Sequence, residues 1–88
     1  MEKNLLERFL TRMDLTGEIV PGQLLVELFG NRRVLIENHL GVLCYEPTEI
    51  RVRTKNGIFS VLGTGMTLAQ MTKFKLVIVG CISGVNFE

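Results

Sequence analysis

The sequence predicts a small, mainly β domain with one N-terminal amphipathic helix. The β part is expected to be a roll or sandwich of about seven to nine short, largely antiparallel strands. The apolar period changes near Gly17 from about 3.6 residues to about 2. Turn residues then recur every few positions, and the connections are too short for helical crossovers, so neighbouring strands should pair antiparallel. A short solenoid-like β stack is the alternative, favoured by loosely repeated strand–glycine–strand units.

The first element is a helix within residues 1–16. One apolar stripe recurs at helical spacing, and Asn4 with Glu7 has the spacing of a capping box. The stripe consists of Leu5, Leu6, Phe9, Leu10 and Met13. We expect it to cover one face of a sheet, because its polar face lacks the basic excess of membrane-surface helices. Docking on a membrane or on a partner helix is the alternative.

The remaining residues, 17–88, are predicted to form the β domain. Eight segments combine β-branched and apolar residues and are bounded by turn residues: 24–28, 34–36, 42–45, 50–54, 58–62, 66–71, 74–79 and 82–87. Gly63-Thr64-Gly65 lacks the lysine and following helix of a phosphate loop, and it indicates a bend or bulge between strands.

Asn56-Gly57 is the strongest hairpin signal in the chain, because both residues tolerate the positive φ angles of a type I′ turn. Closing that turn pairs Lys55 with Ile58 and Val52 with Val61. One face of the hairpin is then apolar, and the other carries a basic row of Arg51, Arg53 and Lys55 with Ser60. We interpret the row as a solvated face that discourages edge pairing; contact with phosphate or an acidic partner is the alternative.

The predicted core combines the helix stripe with the apolar face of the strands. Its members are Leu6, Phe9, Leu10, Val34, Ile36, Val42, Ile50, Val52, Phe59, Val61, Leu68, Leu76, Ile78 and Ile82. Tyr45, Phe74 and Phe87 also fall on alternating patterns and are interpreted as core rather than as a base-stacking platform, since basic and aromatic residues are not interleaved on one face.

Composition excludes several classes of function. Ten basic and nine acidic residues nearly cancel, which argues against nucleic-acid or anionic-membrane binding driven by bulk charge. Hydrophobic residues make up 47% of the chain, so we expect a partner or a second copy to cover some apolar surface. No apolar run is long enough for a direct membrane span. The two cysteines, Cys44 and Cys81, are expected to be reduced thiols of a cytoplasmic protein.

The stretch "IENHLG", residues 36–41, holds the only histidine of the chain. A general base at His39 beside Glu37, or a nucleophile pair of His39 with Cys44, would need an orienting partner that the sequence does not offer. One histidine and two scattered cysteines make no usual metal-ligand set. We therefore predict no catalytic, cofactor or metal site. The stretch is interpreted as the connection of a hairpin, in which Asn38 accepts left-handed backbone and Gly41 supplies free φ.

The segment from about residue 21 to the end resembles the YabP/YqfC family of sporulation proteins, closest to the YqfC side. The resemblance rests on Gly30-Asn31, "IENHLG", Tyr45, "IRVRT" with Gly57, the repeat with Gly63 and Leu68, and "VIVGCI". It implies a small β protein of endospore-forming bacteria without assigned catalytic residues. It also implies a protein partner, with a sporulation membrane protein as the first candidate, since family members are encoded beside such proteins.

The resulting hypothesis is a non-enzymatic sporulation protein that acts through protein–protein contacts, as an assembly or morphogenetic factor near the membrane around the developing spore. It would be cytoplasmic and peripheral to that membrane through its partner. Partner contacts are predicted at Glu37, Asn38, His39, Arg51, Arg53 and Lys55. The alternative is a small ligand- or nucleic-acid-binding β-module that uses the basic row, although no nucleic acid is the expected partner.

Overall fold

The structure, a computed structural model, describes residues 22–88. Six strands follow one another: β1 (Leu25–Phe29), β2 (Arg33–Glu37), β3 (Gly41–Glu46), β4 (Glu49–Thr54), β5 (Gly57–Met71) and β6 (Lys75–Phe87). The predicted helix within residues 1–16 lies outside the described residues. The described part is therefore mainly β, as the alternation of the sequence predicts.

All six strands form one open sheet in the order β1-β2-β6-β5-β4-β3, and every neighbouring pair is antiparallel. The antiparallel prediction is confirmed, and the solenoid-like alternative is wrong. The predicted strand count is also wrong. Segments 58–62 and 66–71 are the two halves of β5, and segments 74–79 and 82–87 are the two halves of β6. Glycine bulges bend these strands without ending them.

The long β5–β6 ribbon folds back on itself. Straight, Gly57–Met71 would be about 46 Å long at 3.3 Å per residue. The loop between β2 and β3 nevertheless contacts both ends of the ribbon. At one end, the N–H of Asn38 donates to the carbonyl of Phe74, just after β5, at 2.6 Å. At the other, the N–H of Leu40 donates at 2.8 Å to the carbonyl of Arg53, which pairs with the start of β5. Two residue steps span at most about 7.6 Å. The sheet is thus a roll whose two halves face each other.

Close backbone approach at the bend explains two of the glycines. The β5–β6 register shifts between Leu62 and Gly63, which confirms the predicted bulge but places it inside β5 rather than between two strands. A Cβ on Gly63 would collide with the main-chain oxygen of Cys81. Gly80 has φ +150°, and its Cβ would lie 2.8 Å from the Cα of Met66. No larger residue fits either position without a backbone shift.

The core fills the space between the two halves of the roll. Its buried members are Val34, Ile36, Ile50, Val52, Phe59, Val61, Met66, Leu76, Ile78 and Ile82, with Val42 and Leu68 partly buried against them. All of these except Met66 were predicted, and Leu6, Phe9 and Leu10 lie outside the described residues. Tyr45, Phe74 and Phe87 are exposed, so their assignment to the core is wrong.

The β4–β5 hairpin has the predicted faces but not the predicted register. Thr54 pairs with Gly57 and Val52 with Phe59, so Lys55-Asn56 forms the turn and every predicted pair is displaced. Two contacts explain the difference. The Thr54 hydroxyl bonds the main chain of the turn, and Gly57 lies against the main chain of Glu88, where a Cβ would collide. Because the displacement is even, the apolar residues still share one face.

Candidate functional site

Residues 38–40 join β2 to β3, and they close one end of the roll. Asn38 stands in left-handed backbone with φ +69°, and its side-chain amide donates to the carbonyl of Gln23 at 2.7 Å. β2 and β3 do not pair, since β6, β5 and β4 lie between them in the sheet. The hairpin interpretation of "IENHLG" is therefore wrong. The stretch is a corner that carries the chain from one half of the roll to the other.

His39 is buried at this corner, with 5% of its surface exposed. The N–H of Gly41 donates to Nδ1 at 3.1 Å, so Nδ1 carries no proton. Nε2 lies 3.2 Å from the carbonyl of Thr72, and it therefore carries the proton and donates it. The neutral Nε2–H ring thus ties the β2–β3 loop to the β5–β6 turn. Both ring nitrogens are occupied by main-chain groups.

Arg51 differs from the other two residues of the basic row because it forms an ion pair with Glu88. Its Nη2 donates to both carboxylate oxygens of Glu88, at 3.1 and 3.2 Å. The hydroxyl of buried Ser60 donates to the same carboxylate at 3.1 Å. Arg53 and Lys55 are exposed and have no ion pair with a carboxylate among residues 22–88. Within the described part of the chain, the row therefore offers two free cations rather than three.

Cys44 lies on the outer face, half-buried, rather than in the core. Its thiol is 3.4 Å from a carboxylate oxygen of Glu46. That hydrogen bond, with desolvation and the negative charge of Glu46, raises the pKa of Cys44 above its usual value. His39 and Cys44 each bond other groups and do not bond each other. Cys44 and Cys81 are both free thiols.

Iodoacetamide should alkylate Cys81 faster than Cys44. The thiolate is the reactive form, and a raised pKa leaves less of Cys44 as thiolate near pH 8, just below the usual thiol value of about 8.5. The Cys44 rate should rise with pH. Glu46→Gln removes the negative charge that holds the proton, so it should raise the Cys44 rate severalfold and leave Cys81 unchanged. Mass spectrometry of timed samples measures both rates, and faster labelling of Cys44 in the wild type would contradict the expectation.

The corner belongs to a larger surface, here called the loop end of the roll. Its parts are residues 37–40, residues 53–57, the turn of residues 71–75 and the C-terminal Phe87–Glu88, which bonds the main chain of Ile58. The opposite, bend end contains Gly63, Gly80 and the β1–β2 turn, whose Arg32 carbonyl accepts from Gly80 N–H at 3.1 Å. The structure thus brings Asn38, His39 and Arg53 to one end.

Sequence reasoning missed the turn of residues 71–75 as part of this end. Its position depends on the folding back of the β5–β6 ribbon, which no local pattern predicts. In the described range 22–88, no three histidine, cysteine or acidic side chains are grouped to hold a metal ion. The same range contains no helix with the length and hydrophobicity of a membrane span.

The six-stranded roll with its "IENHLG" corner covers the same residues as a known family. A family model described as the YabP family matches residues 22–88. The chain belongs to the YabP family. This match confirms the resemblance to YabP/YqfC proteins, and membership implies a sporulation-related protein. A search of curated proteins and a search of solved structures each found no match.

Proposed function

We propose that this YabP-family protein acts in sporulation without catalysis, as an assembly factor that binds a protein partner on the cytoplasmic side of the membrane around the developing spore. The family match over residues 22–88 is the observation that carries the proposal. The geometry of the corner supports a structural role for "IENHLG", because both nitrogens of His39 hold main-chain groups rather than face an open site.

Exposed residues beside the corner are the proposed partner contacts. Arg53 and Lys55 are exposed, and Leu40 is bonded through its N–H to Arg53. Glu37 and Asn38, at the end of β2 and the start of the loop, are half-buried. Arg51 contributes less to a contact, since Glu88 already neutralises it. The binding-module alternative depends on the full basic row, and the ion pair removes one of its three charges.

The test is a count of heat-resistant spores in a deletion strain of the source organism. The strain is complemented with wild type, with His39→Gln, and with the double variant Arg53→Glu/Lys55→Glu. Arg32→Glu/Arg33→Glu, at the bend end, is the control with the same change of charge. Immunoblots verify that each variant accumulates to the wild-type level.

Deletion should lower the count at least tenfold, and wild type, His39→Gln and the bend-end control should restore it. Arg53→Glu/Lys55→Glu should fail, because it reverses two charges at the proposed contact. An unchanged count after deletion would overturn the sporulation role. Failure of His39→Gln at normal protein level, with rescue by Arg53→Glu/Lys55→Glu, would overturn the non-catalytic contact and favour chemistry at the histidine.

A further inference from the structure

The most exposed large apolar side chains of the described residues are all at the loop end. Phe87 is 70% exposed, Leu40 62%, Met71 61% and Phe74 58%, ahead of Leu28 at 52%. They lie on three separate segments that converge only in the folded roll: the β2–β3 loop, the β5–β6 turn and the C-terminus. Exposed apolar side chains gathered in this way mark an interaction surface rather than random scatter.

Positive charge is concentrated at the same end. Residues 22–88 carry seven basic side chains, and four of them belong to the loop end: Arg53, Lys55, Lys73 and Lys75. Two of the five glutamates of this range are also there. Glu88 is neutralised by Arg51, and Glu37 lies across from Lys75 without an ion pair. The loop end therefore has a net positive charge that the near-neutral whole chain conceals.

The cations stand among the apolar side chains. The Nζ of Lys73 lies 5.4 Å from the ring centroid of Phe74, and Leu40 is bonded to the main chain of Arg53. The two lysines beside Phe74 distinguish the β5–β6 turn from a protein–protein interface, whose centre is usually depleted in lysine. Apolar groups that enter the acyl boundary, with lysine and arginine at the phosphates, are instead the combination that holds a protein on a bilayer surface.

We propose that the loop end binds directly to the surface of an anionic lipid bilayer. Leu40 and Phe74 enter the interface between headgroups and acyl chains, and Lys73 and Lys75 contact lipid phosphates. Apolar insertion and charge attraction are each weak, and together they hold the protein reversibly on the bilayer surface. The proposal concerns the purified protein and lipid alone, so it stands or fails independently of the role in sporulation and of any protein partner.

The test is co-sedimentation of the full-length protein with vesicles of phosphatidylglycerol and phosphatidylcholine, and with vesicles of phosphatidylcholine alone. Lys73→Gln/Lys75→Gln removes two charges at the loop end, and Arg32→Gln/Arg33→Gln removes two at the bend end. Phe74→Ser removes an exposed ring from the loop end, and Phe29→Ser removes one from the bend end. Circular dichroism verifies that each variant is folded. Lys75 is half-buried, and the other substituted residues are exposed.

The protein should bind the anionic vesicles and not the neutral ones, and binding should weaken as salt increases. Lys73→Gln/Lys75→Gln should lower the partition coefficient about 30-fold, at about fivefold per charge. Phe74→Ser should lower it about tenfold. Both bend-end variants should stay within about threefold of wild type. Equal losses at the two ends would overturn the proposal. Binding to neither vesicle would also overturn it, in favour of an acidic protein as the occupant.

Discussion

Gly80→Ala should lower the free energy of unfolding by about 3 kcal/mol. A Cβ at this position would lie 2.8 Å from the Cα of Met66 and 2.9 Å from the oxygen of Gly65, and both are main-chain atoms that no rotamer change can move away. Overpacking of this kind costs about 1–3 kcal/mol. The backbone at φ +150° is strained for any residue with a side chain and adds about 1 kcal/mol or more. The loss is large for a domain of this size.

Urea unfolding followed by circular dichroism measures the effect. A drop in melting temperature of about 15 °C should accompany it, at about 4–8 °C per kcal/mol for a small domain. Gly84→Ala is the matched control on the same strand. No atom of another residue in the described range lies within 4 Å of its added Cβ, its chain neighbours aside, so it should change stability by less than about 0.5 kcal/mol. Equal effects of the two variants would show that the bend does not depend on close backbone approach at Gly80.

His39→Ala should cost about 3 kcal/mol of unfolding free energy. It removes the acceptor of the Gly41 N–H and the donor to the Thr72 carbonyl, and each such bond contributes about 1 kcal/mol. It also leaves a cavity where a buried ring was, which adds about 1 kcal/mol or more. The loop of residues 38–40 then keeps its bond to the Phe74 carbonyl but loses the one that the ring makes to Thr72, so hydrogen exchange should show faster opening of the loop end than of the bend end.

Two conservative variants divide the contribution of the ring. The amide oxygen of His39→Asn can occupy the place of Nδ1 and keep the bond from Gly41, and the amide nitrogen of His39→Gln can occupy the place of Nε2 and keep the bond to Thr72. Each should therefore cost less than alanine by about 1 kcal/mol. If all three substitutions cost the same in urea unfolding, burial of the ring rather than its two hydrogen bonds stabilises the corner.

The inward faces of β2, β4 and β5 and most of that of β6 were predictable from the sequence because strand alternation is local. A strand must present its apolar side chains to one face whatever its partner, so Ile50, Val52, Phe59 and Val61 are buried even though the predicted hairpin register is wrong. The register of the hairpin instead places Gly57 against the main chain of Glu88, where a residue with a Cβ would collide. A contact across 31 residues is beyond any turn rule.

The backbone conformation of the corner was predictable from the sequence, but the strands that it connects were not. The sequence predicts left-handed backbone at Asn38 because asparagine tolerates that conformation, and Asn38 adopts it. The strands that the corner joins do not pair, because β6, β5 and β4 separate them. The ring of His39 therefore bonds a turn 33 residues away, and only the folded chain shows which.

The sequence by itself determined the β class, most of the buried residues and the family, since alternation, turn residues and a linear motif are all properties of short stretches. Only the tertiary structure decided where charge and exposed apolar surface accumulate. The basic and acidic residues nearly cancel along the chain, but the fold-back of β5 and β6 brings Lys55, Lys73 and Phe74 to one end. The physical reason is that the bend depends on contacts between distant main-chain segments, Gly63 against Cys81 and Gly80 against Met66.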